Sequence, residues 1–264
     1  MLMEVKNQFK VFFYSIKYAL QREMLNQFTF ISNIVFMILN NACFIIQWLV
    51  LFSVRDNIGG YSMKTVILLW GIAAATFGFS HFFFKNAYSL PDIINTGKLD
   101  NYLIQPKNVL LSCISSTVSV SSIGDFIYGI IMLCIYGLSL KNILLFLFFT
   151  ITGGFMLTAI TIIYASFSFW FGKVDIITST MNSFMITFAT YPEGIFKGFI
   201  KVLFYTIIPL EFVNYIPLNL FENFNVLQFL SIIGVTILLI CFAIVMFYQG
   251  LKKYSSSNLM NVRV

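Results

Sequence analysis

Polar positions in this chain fall in clumps, and the apolar residues between them run almost unbroken. The runs cover residues 28–52, 65–84, 109–140, 143–171, 176–191 and 227–248. A helix that crosses a bilayer needs about 20 apolar residues, so each run marks a candidate span. The run at 109–140 is too long for one. Seven Ser or Thr residues stand between Ser112 and Ser122, so the crossing helix is placed at 121–140. The part before it is placed at the interface or against protein. The fifth run is short.

Two further segments break the pattern. In residues 4–24, Phe9, Phe12, Phe13, Ile16 and Leu20 share one helical face, and Lys10, Lys17 and Gln21 lie opposite. This predicts an amphipathic helix in the membrane interface, or one packed on a protein partner. Residues 192–224 mix bulky apolar residues with Pro192, Glu193, Lys197, Lys201, Pro209, Glu211 and Pro217. Proline removes a backbone donor and breaks a spanning helix. Two half-helices that enter the outer side and turn back, buried in protein or along a cavity, fit best. A seventh span is the competing arrangement. The expected fold is all-α and integral to the membrane, one transmembrane domain over residues 1–264. It has an interfacial helix, six transmembrane helices and an outer re-entrant segment before the sixth.

Composition supports the lipid-solvated reading. Hydrophobic residues make up 59% of the 264 and charged ones 10%, against about 45–50% and 25% in soluble domains. Mean hydropathy is +0.89. The long runs exclude a porin-type barrel, whose strands alternate polar with apolar. The formal charge of +6 comes from basic residues in the gaps between runs, which suits anionic headgroups rather than nucleic acid. With the N-terminus inside, eleven of the sixteen basic residues fall on the cytoplasmic side. Both termini and the long loop at 85–108 are then cytoplasmic, and 192–224 is outside. The first run is too long for a signal peptide core and is expected to remain as a span.

Recognisable catalytic chemistry is missing from the pattern. Gly97-Lys98 and Gly172-Lys173 lack the other residues of a phosphate-binding loop, and no HExxH or GxSxG occurs. His81, at the cytoplasmic end of the second span, reads as a packed residue. Cys43, Cys113, Cys134 and Cys241 lie within apolar runs, form no CxxC pair and read as small buried hydrophobes. No catalytic or metal site is expected. Asp125 stands in the third span beside Ser121, Ser122 and Gly124. An acid at membrane depth costs about 3 kcal/mol, so it should face protein or water, as a contact for a cationic substrate, as a helix–helix hydrogen bond, or at a position near the inner interface. Glu193 and Glu211 flank the outer segment, with Lys197 and Lys201 as neighbours.

The cytoplasmic loop reads Gly97-Lys98-Leu99-Asp100-Asn101-Tyr102-Leu103-Ile104-Gln105-Pro106. This resembles the G-x-L-D-x-x-L-x-x-P signature of one group of ABC-2 type permeases, the membrane subunits of bacterial ABC exporters. Tyr191-Pro192, Ile207-Ile208-Pro209-Leu210 and Tyr215-Ile216-Pro217 follow in the expected order. The chain closes its last span with Gly250-Leu251-Lys252-Lys253-Tyr254-Ser255-Ser256, like the G-x-[KR]-[KR]-Y-x-S ending of that group. Gln105 stands where related chains often carry Arg. The resemblance implies a permease in the bacterial cytoplasmic membrane, paired with a second permease of the same or a different kind. Separate ABC ATPase subunits would carry the ATP and Mg, with no cofactor in this chain. It also implies a cytoplasmic coupling helix between the second and third spans.

The loop's own residues agree. Pro91 can open a short helix, Pro106 ends it, and the Leu99, Tyr102 and Leu103 cluster would press into a groove on the ATPase. Pro91, Gly97, Leu99, Asp100, Leu103 and Pro106 are therefore the coupling candidates. An ion-coupled transporter or a membrane-embedded transferase without an ATPase is the alternative. The first usually needs paired charges at mid-membrane and internal repeats, and the second a His or acid cluster.

Overall fold

The computed structural model describes residues 2–199, 202 and 209–255. The described residues contain helices and no strand. They are α1 (Leu2–Glu23), α2 (Gln27–Val54), α3 (Met63–Tyr88), α4 (Leu90–Asn95), α5 (Asp100–Leu103), α6 (Val109–Ile114), α7 (Ser121–Tyr136), α8 (Leu140–Ser166), α9 (Ser168–Phe171) and α10 (Asp175–Ala189). After a 3₁₀ turn at Glu193–Ile195 and a π turn at Glu211–Tyr215 come α11 (Ile216–Glu222) and α12 (Val226–Leu251).

Polar caps set the helix starts. Asn26, Ser62, Ser139 and Asn225 each accept a backbone N–H from the first turn of α2, α3, α8 and α12. Such caps satisfy donors that have no intrahelical partner. Four stretches are long and apolar enough to cross a membrane: α2, Met63–Asn95, Leu140–Phe171 and α12. The expected third and fifth spans are the shorter α7, 16 residues, and α10, 15 residues.

Helix α3 is the centre. Most of its apolar length is buried, as is most of α8, while α2 and α12 leave their apolar surface largely outside. Close approach between α3 and α7 depends on missing side chains. A Cβ on Gly129 would stand 2.8 Å from the Gly71 carbonyl oxygen, and one on Gly78 would stand 3.0 Å from the Asp125 Cβ. Small residues let helix backbones meet in this way, and van der Waals packing then holds them where lipid supplies no hydrophobic drive.

The loops gather at two ends. At one lie α1, residues 84–120, the turn after α9 and the end of α12. Phe12, Ile16, Ala19 and Leu20 of α1 pack on Phe82, Phe83 and Val118. Asn95 Nδ2 donates to the Gly172 carbonyl at 3.2 Å, and Tyr254 meets Phe169 edge-on at 6.1 Å. At the other end, Lys141 Nζ donates to the Phe221 carbonyl at 3.0 Å and Lys64 sits 5.0 Å over the Tyr136 ring. Trp48 meets Tyr191 edge-on at 5.6 Å. This division is the one that the basic residues suggest. Helices α7 and α10 run between the same two ends as the four long stretches.

Ile16 and Ala19 of α1 are buried while Phe9 and Phe13 are exposed, which suits a helix lying in the membrane interface. One detail differs from the sequence reading. Cys113 is buried, but Cys43, Cys134 and Cys241 are exposed, and all four are free. Apolar outer faces of spans accept cysteine as readily as a core does.

Candidate functional site

The loop after α3 is built as a surface tip on a buried base. Helix α3 leaves helical geometry at Phe84 (φ −134°, ψ 36°), and α4 opens with Pro91 in its first turn. Leu90, Pro91, Ile93 and Ile94 are buried there. Gly97 then turns the chain at φ +75°, a conformation that suits glycine just past a helix end. Leu99 N donates to the Ile93 carbonyl at 3.2 Å, and the Leu99 side chain has no exposed surface.

The expected continuous helix from Asp92 to Leu103 is thus two short helices, α4 and α5. The turn between them sends Leu99, at the head of α5, inward, so Leu99 anchors the loop and is not part of an outer ridge. Leu103 is 39% and Ile104 84% exposed. Gln105, Pro106 and Lys107 continue that exposed stretch. Lys98 Nζ lies 3.0 Å from Asp92 Oδ2, an exposed pair worth little to stability.

The base is completed from far along the chain. Gly250 faces Phe169 so closely that no Cβ would fit. Tyr254 stands on the same ring. Burial first, and then the charge of Asp100, holds the Tyr254 hydroxyl above the usual tyrosine range, in its neutral form. Lys252 and Lys253 stay exposed. The loop signature and the closing G-x-K-K-Y segment, some 150 residues apart in sequence, are one packed unit.

Asn86 fixes the break before α7. Its Nδ2 donates to the Cys113 carbonyl at 3.2 Å and to Ser116 Oγ at 2.6 Å, and its Oδ1 accepts from Thr117 at 2.5 Å. Tyr102 OH reaches Ser116 Oγ at 2.9 Å. Ser116 and Thr117, before the third span, therefore bind protein.

Asp125 lies one turn into α7 and is 5% exposed. Asn41 Nδ2 of α2 donates to its Oδ1 at 2.7 Å. Both line a cavity of about 450 Å³ between α2, α3, α7 and α10, with Trp48, Trp70, Phe44 and Phe77 among its walls. His81 lines it too. The His81 ring stacks on Tyr88 at 3.9 Å and its Nδ1 is 3.0 Å from the Phe77 carbonyl, the packed role expected for it. Sequence reading missed Asn41, although two adjacent amides, Asn40 and Asn41, inside an apolar span were the available signal.

Of residues 192–224, the structure describes 192–199, 202 and 209–224; Lys201 lies outside the described residues. Pro192, Pro209 and Pro217 are buried, as is Glu211. Glu193 sits in the 3₁₀ turn. Leu210, Val213, Tyr215, Leu218, Leu220 and Phe221 join the core around α3 and α8. Asn214 Nδ2 donates to the Ala189 carbonyl at 3.0 Å, and Tyr215 OH to those of Phe188 and Tyr191 at 2.8 and 3.1 Å. These bonds satisfy carbonyls at the end of α10 that a helix terminus leaves without partners. Close by, burial and then the charges of Glu193 and Glu211 hold the Tyr61 hydroxyl above the usual tyrosine range.

Residues 13–258 match the family described as ABC-2 family transporter protein. The chain belongs to the ABC-2 transporter family. It is a multi-pass membrane protein of transport, the permease component of an ABC transporter, as the resemblance in the loop and tail suggested. No curated protein and no solved structure matches it. In this ABC-2 permease the Gly97–Pro106 signature falls on the exposed tip and its buried base, and the GLKKY segment beneath them.

Proposed function

We propose that the chain is the non-catalytic permease subunit of an ABC exporter in a bacterial cytoplasmic membrane. Both termini and the 85–108 loop face the cytoplasm. Separate ATPase subunits, which hold ATP and Mg, dock on the tip formed by Leu103–Lys107, and a second permease completes the transport pathway. The outer segment at 192–224 closes the opposite end of the bundle as a re-entrant unit. One observation carries the reading: an exposed apolar tip, Leu103 and Ile104, held on a fully buried Leu99. A solvated linker needs neither. An apolar tip with Lys107 beside it suits a partner groove, where burial gives affinity and charge sets orientation.

The test is the double variant Leu103→Asp, Ile104→Asp in the assembled complex. It should reach the membrane in normal amount, because both side chains are exposed. It should fail to retain the ATPase on purification and lose substrate-stimulated ATP hydrolysis. Full retention of the ATPase and of transport would remove the tip from the coupling mechanism.

A further inference from the structure

The cavity beside Asp125 has a composition unlike the rest of the interior. Among the described residues, Asp125 is the one acidic side chain that lines it, and no Lys or Arg does. An acid held among apolar helices away from water requires a partner. Asn41 supplies a single hydrogen bond, to Oδ1. Two more polar groups of the lining, Trp70 Nε1 and Ser122 Oγ, are buried and make no hydrogen bond. Such groups are normally satisfied, so a ligand atom or water belongs beside them. Trp48, Trp70, Phe44 and Phe77 supply aromatic rings, whose faces attract cations. The lining includes Asn40, Gln47, Ile186 and Thr187, all exposed, which opens the cavity between α2 and α10.

We propose that this cavity binds a hydrophobic amine, its ammonium group paired with Asp125 and its apolar body against Trp48 and Trp70. Asn41 orients the carboxylate so that its second oxygen is available to the ligand. About 450 Å³ lies within the range of small-molecule sites, roughly 300–1,000 Å³, and suits a bicyclic aromatic amine. That the amine is also transported rests on the permease reading above; the binding does not.

The full-length chain in lipid nanodiscs, with Trp170→Phe, leaves only the two cavity tryptophans as fluorescent reporters. The probes are 2-naphthylethylammonium, the matching neutral alcohol and the matching carboxylate. The ammonium should quench the tryptophans at a concentration at least tenfold below the alcohol, and the carboxylate should not bind. Asp125→Asn, which keeps the shape and the Asn41 contact, should erase that preference. Thr187→Phe, an exposed position at the mouth, should block the ammonium and the alcohol without touching the packed core. Equal binding of alcohol and ammonium, or a preference that survives Asp125→Asn, overturns the proposal. So does binding that survives Thr187→Phe. If amine binding holds while the assembled complex fails to move the same amine in vesicles, the site stands and the permease reading loses its substrate.

Discussion

Gly250 shows how one missing side chain joins two distant parts of the chain. The Phe169 ring occupies the space that a Cβ would need, and Phe247 and Tyr254 complete the aromatic contact around it. Gly250→Leu therefore overpacks a filled region, at about 1–3 kcal/mol or more. The expected outcome is a lower thermal midpoint for the purified chain, partly restored by adding Phe169→Ala. No restoration would mean that the glycine serves something other than this contact. Residue by residue, the site was partly legible. Asp125 was identifiable because an acid inside an apolar run is expensive. Asn86 and Asn214 were not, because an amide costs less and its partner lies elsewhere in the fold; for Asn41 only the doubled amide inside an apolar run was a signal. Ile104 was missed because the spacing of Leu99 and Leu103 drew the reading to their shared face, and Ile104 lies one position beyond it.

Among the elements, the loop of α4 and α5 separates two roles that the sequence merges. Leu99 belongs to the interior and Ile104 to the surface. Leu99→Asp would bury a charge among Leu90, Ile94 and Phe84, and an unpaired buried charge is strongly destabilising. That variant should be degraded or unfold early, whereas Ile104→Asp should unfold at the wild-type temperature. Comparing their melting in detergent checks the assignment; equal melting would place Leu99 at the surface after all. The long helices were well read, because apolar length and a Ser or Asn cap are both local signals. Helix α2 was expected at 28–52 and runs Gln27–Val54; the sixth span was expected at 227–248 and runs Val226–Leu251. The third span was expected to reach 140 but ends at Tyr136. There Gly137 (φ +137°) turns the chain, and Ser139 caps the next helix.

In the whole molecule, the two clusters of loops fix a sidedness that chemistry can test. With the four native cysteines replaced, a cysteine at Asp56 and one at Lys107 should label from opposite sides of intact cells. The Asp56 position alone should react with an impermeant reagent; reaction at both would break the arrangement. The general plan was legible because lipid demands long apolar helices. How residues 210–221 pack into the core was not, because the prolines say where helices break and not what then covers them. The short lengths of α7 and α10 carry one more consequence. At 1.5 Å per residue they extend about 24 and 22 Å, less than the roughly 30 Å of a bilayer's hydrocarbon. Yet both turn isoleucines outward, Ile130, Ile131 and Ile135 on α7 and Ile176, Ile177 and Ile186 on α10. Acyl chains beside either helix would have to compress to meet that height, making a local thin spot there. Reconstituted in vesicles of graded acyl-chain length, the protein should melt highest in the shorter lipids and lose stability steadily as the membrane thickens; a flat response would show that other protein, not lipid, lies against those isoleucines.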